Sequence, residues 1–246
     1  KDAVTNLAAL IAIPYSYQAA RSYIETNIIG THNILEAAKI CNIGKIIHTS
    51  TSEIYGTAKY VPIDENHPIN SQSPYAATKA SADQLAISYY YSFNLPVTIL
   101  RPFNTFGPRQ SMRAVIPTII GQVINSNRVN IGNVKPTRDF TFVTDTVEAF
   151  SRAIKAKNIN GEVINIGSNF EVSIKEIIEM VASITNRKIV INKDLKRMRP
   201  KSSEVDRLLC SNKKAKYLLK WSPSSGGKKG FKAALEKTIN WFSKKE

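Results

Sequence analysis

Tyr75 and Lys79 stand four residues apart in a segment rich in Ala, Leu and aromatic residues, so a helix there puts both side chains on one face. An ammonium group beside a phenol stabilises the phenolate, and a tyrosinate so prepared can act as a base near neutral pH. Tyr and Lys are common on helices, so the pair gains meaning from what accompanies it. The run Ser50-Thr51-Ser52-Glu53 follows an apolar stretch, Lys45-Ile46-Ile47-His48-Thr49, and adds hydroxyls and a carboxylate. A hydroxyl, a carboxylate, a phenol and an amine gathered in one place can move protons to and from an alcohol and its adjacent carbon.

The flanking elements could gather them. Ala3-Val4-Thr5-Asn6-Leu7 reads as a buried strand ending in Ala8-Ala9, and Ile24, Ile28, Leu35 and Ala38 give helical spacing from Ala19 to Cys41, with Gly44 as a stop before the strand at Lys45. Pro74 suits the first turn of a helix running to Phe93, and Val97-Thr98-Ile99-Leu100 reads as the next strand. Strands alternating with helices predict an α/β fold with a doubly wound parallel sheet, whose ligands bind beyond the strands' carboxyl ends. Ala8-Ala9, Ser50 to Glu53 and Arg101-Pro102-Phe103-Asn104 all fall at such ends.

Beyond Gly107-Pro108 the pattern is mixed and predicts a smaller α/β lobe. It has a helix from Arg113 to Ser126, an extended Arg138 to Val143, a helix from Asp145 to about Lys157 and a strand from Glu162 to Ile166. Ser173 with Glu176 forms a capping-box pattern for a helix to about Thr185, and Ile189-Val190-Ile191 reads as one more strand. Ser224 to Gly227 reads as a surface turn before a last amphipathic helix with Phe231, Leu235, Ile239 and Phe242.

A chain of 246 residues, 43% hydrophobic and 22% charged, is expected to be globular; it carries neither a signal-peptide pattern nor a membrane-length apolar run, so a cytoplasmic location is expected. Cys41 and Cys210 are isolated and suggest neither a disulfide framework nor a metal site. The net charge of +15 is concentrated in Lys193 to Lys201, Lys213 to Lys220 and Lys228 to Lys245. No nucleic-acid-binding motif accompanies it, so it reads as a solvated surface whose field would also favour an anionic ligand such as a diphosphate.

Several motifs together resemble one family. Leu7-Ala8-Ala9, Thr26-Asn27-Ile28-Ile29-Gly30-Thr31, Ser50-Thr51-Ser52-Glu53-Ile54-Tyr55-Gly56, Ser73-Pro74-Tyr75 with Lys79, Arg101-Pro102-Phe103-Asn104 with Gly107-Pro108, and Arg138-Asp139-Phe140 occur in the order seen in extended short-chain dehydrogenases/reductases of the NAD-dependent epimerase/dehydratase family. The resemblance implies a Rossmann-like NAD-binding fold and a nucleotide-diphosphate sugar as substrate. It implies that Tyr75 takes the sugar hydroxyl proton, that Lys79 holds the nicotinamide ribose and that Thr51 bonds the same sugar hydroxyl. Leu7, Ala8, Ala9, Ser50 and Pro102, Phe103 and Asn104 would line the nicotinamide half of the cofactor site. Asn104 would also face the substrate diphosphate, which Arg138 and Arg199 would clamp.

Within that resemblance Glu53 is informative, because 4,6-dehydratases use a carboxylate there to remove the C5 proton whereas simple 4-epimerases need none. Some dehydratases carry an Asp just before it; this chain has Ser52, as the GDP-mannose type does, which leaves Glu53 itself as the candidate acid for the leaving hydroxyl. The wider text, including Ala12 to Tyr17, Gln72 to Tyr75, Pro136 to Asp139 and Ser203-Glu204-Val205, most resembles N-acetylglucosamine nucleotide 4,6-dehydratases of the legionaminic-acid type. The expected function is therefore NAD-dependent 4,6-dehydration. A 4-epimerase or UDP-glucuronate decarboxylase is the alternative, the latter disfavoured by the lack of an Arg in the segment before Tyr75, and a non-catalytic nucleotide-sugar binding protein is an alternative of another class.

The family's Gly-rich phosphate loop is not among these residues. The first strand corresponds to the family's fourth, so the chain is expected to be N-terminally truncated, to bind NAD poorly and to be inactive alone. Residues 1–107 are expected to form the C-terminal half of the cofactor domain with the catalytic residues, and 108–246 mainly the substrate-binding lobe, with about 139–167 returning to the first. The full-length enzyme is expected to be a homodimer.

Overall fold

A computed structural model describes residues 2–244. Lys245, at the end of the last basic run, lies outside the described residues. Strand β1 (Ala3–Asn6) leads through a short helix α1 (Ile13–Ser16) into α2 (Ala20–Tyr23), a π-helical stretch at Ile24–Ile29 and α3 (Gly30–Ile40). Strand β2 (Lys45–Thr49), helix α4 (Pro74–Phe93) and strand β3 (Val97–Pro102) follow. Strand β4 (Asn104–Phe106), helix α5 (Val115–Asn125), strands β5 (Arg128–Ile131) and β6 (Thr137–Phe142), and helix α6 (Val143–Lys155) come next. The remainder is β7 (Val163–Ile166), β8 (Glu171–Ser173), α7 (Ile174–Ile184), β9 (Val190–Lys193), β10 (Arg207–Leu208), α8 (Lys213–Leu219) and α9 (Gly227–Ser243).

The main sheet has the order β1-β2-β3-β7, with every pair parallel. Adjacent strand residues face opposite sides, and both sides are covered. Ile46 and Ile99 pack with Leu35 and Ala38 of α3 and Ala86 and Tyr89 of α4, whereas Ile47 and Leu100 pack with Ala149 and Ala153 of α6, Ala215 and Leu219 of α8, and Trp221. Each fully buried isoleucine or leucine contributes about 1.5–3 kcal/mol through removal from water. This is the doubly wound parallel architecture that the strand-helix alternation predicts.

A second core lies among α5, α7, α9 and the strands β4, β5 and β6, where Phe106, Phe140 and Phe231 meet. Strand β6 lies between β4 and β10, and β8 pairs with it antiparallel. The capping box of Ser173 and Glu176 starts α7, both reciprocal hydrogen bonds being formed.

Two local expectations fail. Strand β1 is not buried: it is the edge of the main sheet, with Ala3 exposed and Leu7 just beyond it 66% exposed. Helical spacing of four residues also misjudges Ile24, which is exposed, because the π-helical stretch rotates the side chains that follow. Asn27 takes the inward place instead, bonding the backbone of Leu10 in both directions and the Thr78 hydroxyl at 3.1 Å. That polar contact ties the strand-end segment after β1 to helix α4.

Candidate active site

Strand β2 ends where Ser50 N–H donates to Leu100 O at 2.7 Å, and the chain then turns sharply. Thr51 caps the turn, its hydroxyl oxygen accepting from Glu53 N–H at 3.3 Å, and Ser52 to Tyr55 form one buried 3-10 turn. Gly56 closes it at φ +64°. A Cβ at Gly56 would press on Asn70 O and stand 2.5 Å from Gln72 Oε1, so only glycine lets the turn lie against its neighbours. The tightness of this turn fixes where Thr51 and Glu53 point.

Helix α4 supplies the opposing wall. Ser73 caps it, accepting from Ala76 N–H at 3.1 Å, and Pro74 occupies its first turn, which holds Tyr75 at the helix mouth. Tyr75 and Lys79 are both buried on one face, as their spacing predicts. The phenol lies within reach of the Thr51 hydroxyl and the field of the Glu53 carboxylate. Lys79 Nζ donates to Thr49 O at 2.5 Å.

The expected lowering of the phenol's proton affinity is not present. Burial pushes the Tyr75 phenol above its ordinary value; the Thr51 hydrogen bond opposes the rise and Glu53 adds to it. Burial likewise pulls the Lys79 ammonium below its ordinary value, against the attraction of Asp83. Desolvation disfavours both charged forms, and it outweighs the pairing that spacing alone suggests.

Arg138 and Arg199 flank Glu53 on its far side. Arg138 Nε is 3.9 Å from Glu53 Oε1 and Arg199 Nη1 is 3.7 Å from Glu53 Oε2, while Arg138 Nη2 is 3.9 Å from Glu204 Oε1. These are ion-pair separations longer than hydrogen bonds, and Arg199 Nη1 is buried without a hydrogen-bond partner. Both guanidiniums therefore keep donors free for an anion. The segment carrying Arg199 and Glu204 is fastened to the base of α4: Gln72 Nε2 donates to Ser202 O at 3.0 Å and to Glu204 O at 3.3 Å, Ser203 hydrogen-bonds Gln72 O, and Tyr17 meets Ser203 at 2.6 Å.

Thr51, Glu53, Tyr75, Lys79, Arg138 and Arg199 thus adjoin one another around the ends of β2 and the start of α4. Ser52 is buried in the 3-10 turn. Leu7 and Ala8 are exposed beyond β1, Ala9 and Pro102 half-buried. Phe103 is turned away into a cluster with Ile54, Tyr55 and Val205, so only its backbone lies at the strand end. Asn104 is half-buried, and its Oδ1 has no hydrogen-bond partner.

No motif singles out Asp83, although it repeats the Tyr75-to-Lys79 interval once more along α4. It is buried and accepts from Ser50 Oγ at 2.7 Å and Arg101 Nε at 3.0 Å. Asp139, beside Arg138, is also buried, and it binds Ser168 N–H, Asn169 N–H and Cys210 N–H at 2.7, 2.9 and 3.1 Å. Its work is to hold two loops against β6.

The residues present fit the nicotinamide half of NAD. Lys79 spends one donor on Thr49 O and makes no other hydrogen bond among the described residues, leaving two for ribose hydroxyls. The exposed Leu7 and Ala8 offer apolar surface at the same strand ends, and Asn104 Oδ1 is an unused acceptor.

The sequence model of a family described as GDP-mannose 4,6 dehydratase matches residues 1–234. The chain is 35% identical over 196 residues to dTDP-D-glucose 4,6-dehydratase of Dictyostelium discoideum, covering 75% of this chain and 45% of that protein. It is 33% identical over 246 residues to dTDP-D-glucose 4,6-dehydratase of Homo sapiens, covering 98% of this chain and 68% of that protein. Its fold matches the crystal structure of UDP-glucuronic acid 4-epimerase from Bacillus cereus in complex with UDP-glucuronic acid and NAD, with a TM-score of 0.92 and 32% identity over 100% of this chain and 76% of that one.

Proposed function

The chain belongs to the GDP-mannose 4,6 dehydratase family of NAD-dependent epimerase/dehydratases, extended short-chain dehydrogenases/reductases, and from that premise we propose that it carries the catalytic and sugar-binding residues of a nucleotide-sugar 4,6-dehydratase. The observation that carries this reading is the buried carboxylate of Glu53 within the electrostatic field of the Tyr75 phenol, which supplies a second proton acceptor, one for carbon. A 4-epimerase requires proton transfer at one hydroxyl only; elimination requires it at C5 as well.

When bound, NAD supplies the acceptor and later the donor of one hydride. Tyr75 takes the proton of the C4 hydroxyl, with Thr51 bonding the same oxygen. Lys79 holds the ribose through its free donors, and its positive charge is the partner the phenolate needs once formed. Glu53 takes the C5 proton, made acidic by the neighbouring ketone, and returns it to the departing C6 hydroxyl as water leaves; a solvent proton replaces it at C5 when C6 is reduced, and Tyr75 gives the C4 hydroxyl proton up to solvent. Arg138 and Arg199 clamp the diphosphate, so that the sugar's C4 and C5 face Tyr75 and Glu53. The burial of Thr51, Glu53, Tyr75 and Lys79 keeps bulk water from these groups.

The substrate is a nucleotide-diphosphate sugar, for which the two guanidiniums and the excess positive charge are suited. A homodimer and a cytoplasmic location belong to the same proposal; among the described residues, no helix is long and apolar enough to cross a membrane. Product analysis of the whole protein with NAD and a panel of nucleotide sugars tests the reading. A 4-keto-6-deoxy sugar supports it, whereas an inverted C4 hydroxyl or released carbon dioxide assigns the epimerase or the decarboxylase reaction instead.

A further inference from the structure

We propose that Asp83 is a positioning residue of this site: a single buried carboxylate that fixes Ser50 and serves as the counter-ion of Lys79. The proposal rests on the reading of Lys79 as the group that holds the nicotinamide ribose. The geometry behind it is a bracket around two consecutive residues. Lys79 Nζ donates to the carbonyl of Thr49, and the hydroxyl of the next residue, Ser50, donates to Asp83 Oδ2. Lys79 and Asp83 lie one helical turn apart on the same buried face of α4, so the end of β2 is clasped by both charges at once.

The other groups facing this pair decide what Asp83 must do. On α4 itself stands Tyr75; from β2 comes His48, whose Nε2 is 3.4 Å from Asp83 Oδ1; from β3 comes Arg101, bonded to Oδ2 at 3.0 Å. The Glu53 carboxylate acts on the Tyr75 phenol from the turn after β2. Burial holds His48 below its ordinary value, so it is neutral near pH 7. Two cations, Lys79 and Arg101, then share one anion, and the cluster carries one net positive charge. That charge is complementary to a tyrosinate at position 75. Without Asp83 the burial that disfavours the Lys79 ammonium would go unopposed, and Lys79, unlike Arg101, can shed its proton.

Ser50 is fixed in the same act. Its proton is committed to Asp83, so its oxygen lone pairs are turned to whatever occupies the strand end. Arg101 is held in turn by the Tyr55 hydroxyl at 2.9 Å, and Tyr55 donates to Asn165 Oδ1 at 2.8 Å, so the carboxylate sits in a network anchored on β7.

The experiment is a pH titration of the 246-residue chain labelled with carbon-13 at lysine Cε and aspartate Cγ, followed by NMR, with Lys79 assigned from the signal missing in Lys79→Arg. In the wild type the Asp83 Cγ resonance is expected to move at the Lys79 midpoint. In Asp83→Asn the Lys79 midpoint is expected to shift to lower pH, and in Asp83→Glu to return toward the wild-type value even if the melting temperature does not. An unchanged Lys79 midpoint in folded Asp83→Asn overturns the proposal. Should that variant fail to fold, an Asp83 signal indifferent to the Lys79 midpoint in the wild type overturns it equally. Neither readout uses NAD or a nucleotide sugar, so its failure leaves the ribose-holding role of Lys79 standing, and an absence of 4-keto product leaves the coupling standing.

Discussion

The carboxylate of Glu53 and the guanidinium of Arg138 face each other at 3.9 Å, both side chains less than a tenth exposed, across the junction of the main sheet and the second core. At that depth the pair is screened little by water, and removing Arg138 leaves the buried Glu53 carboxylate with Arg199 alone as its cation.

Arg138→Met is therefore expected to destabilise the fold by about 1–3 kcal/mol, since Glu204 loses its buried cation and Glu53 keeps only the Arg199 guanidinium, at 3.7 Å. Adding Glu53→Gln to that variant should restore about 1 kcal/mol, because the carboxylate left with Arg199 alone goes with it. Urea unfolding of the two single variants and the double variant measures the coupling.

Asp139 gives a signed pH dependence. Burial pushes its carboxyl from the ordinary 3.8 up to about 6, the donors from Ser168, Cys210 and Asn169 opposing the rise. Between these values the folded chain binds more protons than the unfolded one, so stability falls as pH rises from about 4 to 6 and then levels off. The contribution lost is about 3 kcal/mol at 1.36 kcal/mol per unit. Asp139→Asn should abolish that slope in unfolding curves taken across the window. The variant should itself be less stable at pH 7 by about 1–3 kcal/mol, because its amide turns a donor toward backbone N–H groups.

Gly56→Ala should cost about 1–3 kcal/mol, since the residue is held at φ +64° with Gln72 Oε1 and Asn70 O against the place of a Cβ. The turn from Ser52 to Tyr55 must shift to relieve that contact. Hydrogen-exchange protection of Thr57 N–H, bonded to Gln72 Oε1 at 2.6 Å, should fall in the variant.

What the sequence discloses follows from the range of the interaction involved. Helix α4, strands β2 and β3 and the capping box at Ser173 arise from neighbours within a turn or two, and each can be read from spacing. The parallel order follows from their alternation. Thr51, Glu53, Tyr75 and Lys79 are legible because they sit at strand ends and helix starts, where an α/β sheet opens its crevice. The partners of Glu53 are not legible from spacing, since Arg138 and Arg199 come from distant segments that meet only in the folded chain. Asp83 was within reach of the same four-residue interval that singles out Lys79, but its meaning depends on Ser50 and Arg101 from two strands. The raised proton affinity of Tyr75 is a property of burial, which spacing does not report.

Tyr75→Phe removes only the phenolic oxygen and leaves the ring edge-on to Tyr23 at 6.3 Å. Its stability should stay within about 1 kcal/mol of the wild type. Turnover should drop by on the order of 10²–10⁴, as loss of a positioned proton acceptor does. Melting curves beside product formation separate the two.

The most direct measurement is solvent isotope incorporation at C5, read by NMR on the product made in deuterium oxide by the whole protein with NAD and its nucleotide sugar. Wild type should give a 4-keto-6-deoxy sugar carrying deuterium at C5, and Glu53→Gln should leave the C6 hydroxyl in place with C5 unlabelled. A wild-type product that keeps its original C5 hydrogen, or a Glu53→Gln protein that dehydrates at the wild-type rate, would contradict Glu53 as the base at carbon and with it the dehydratase reading.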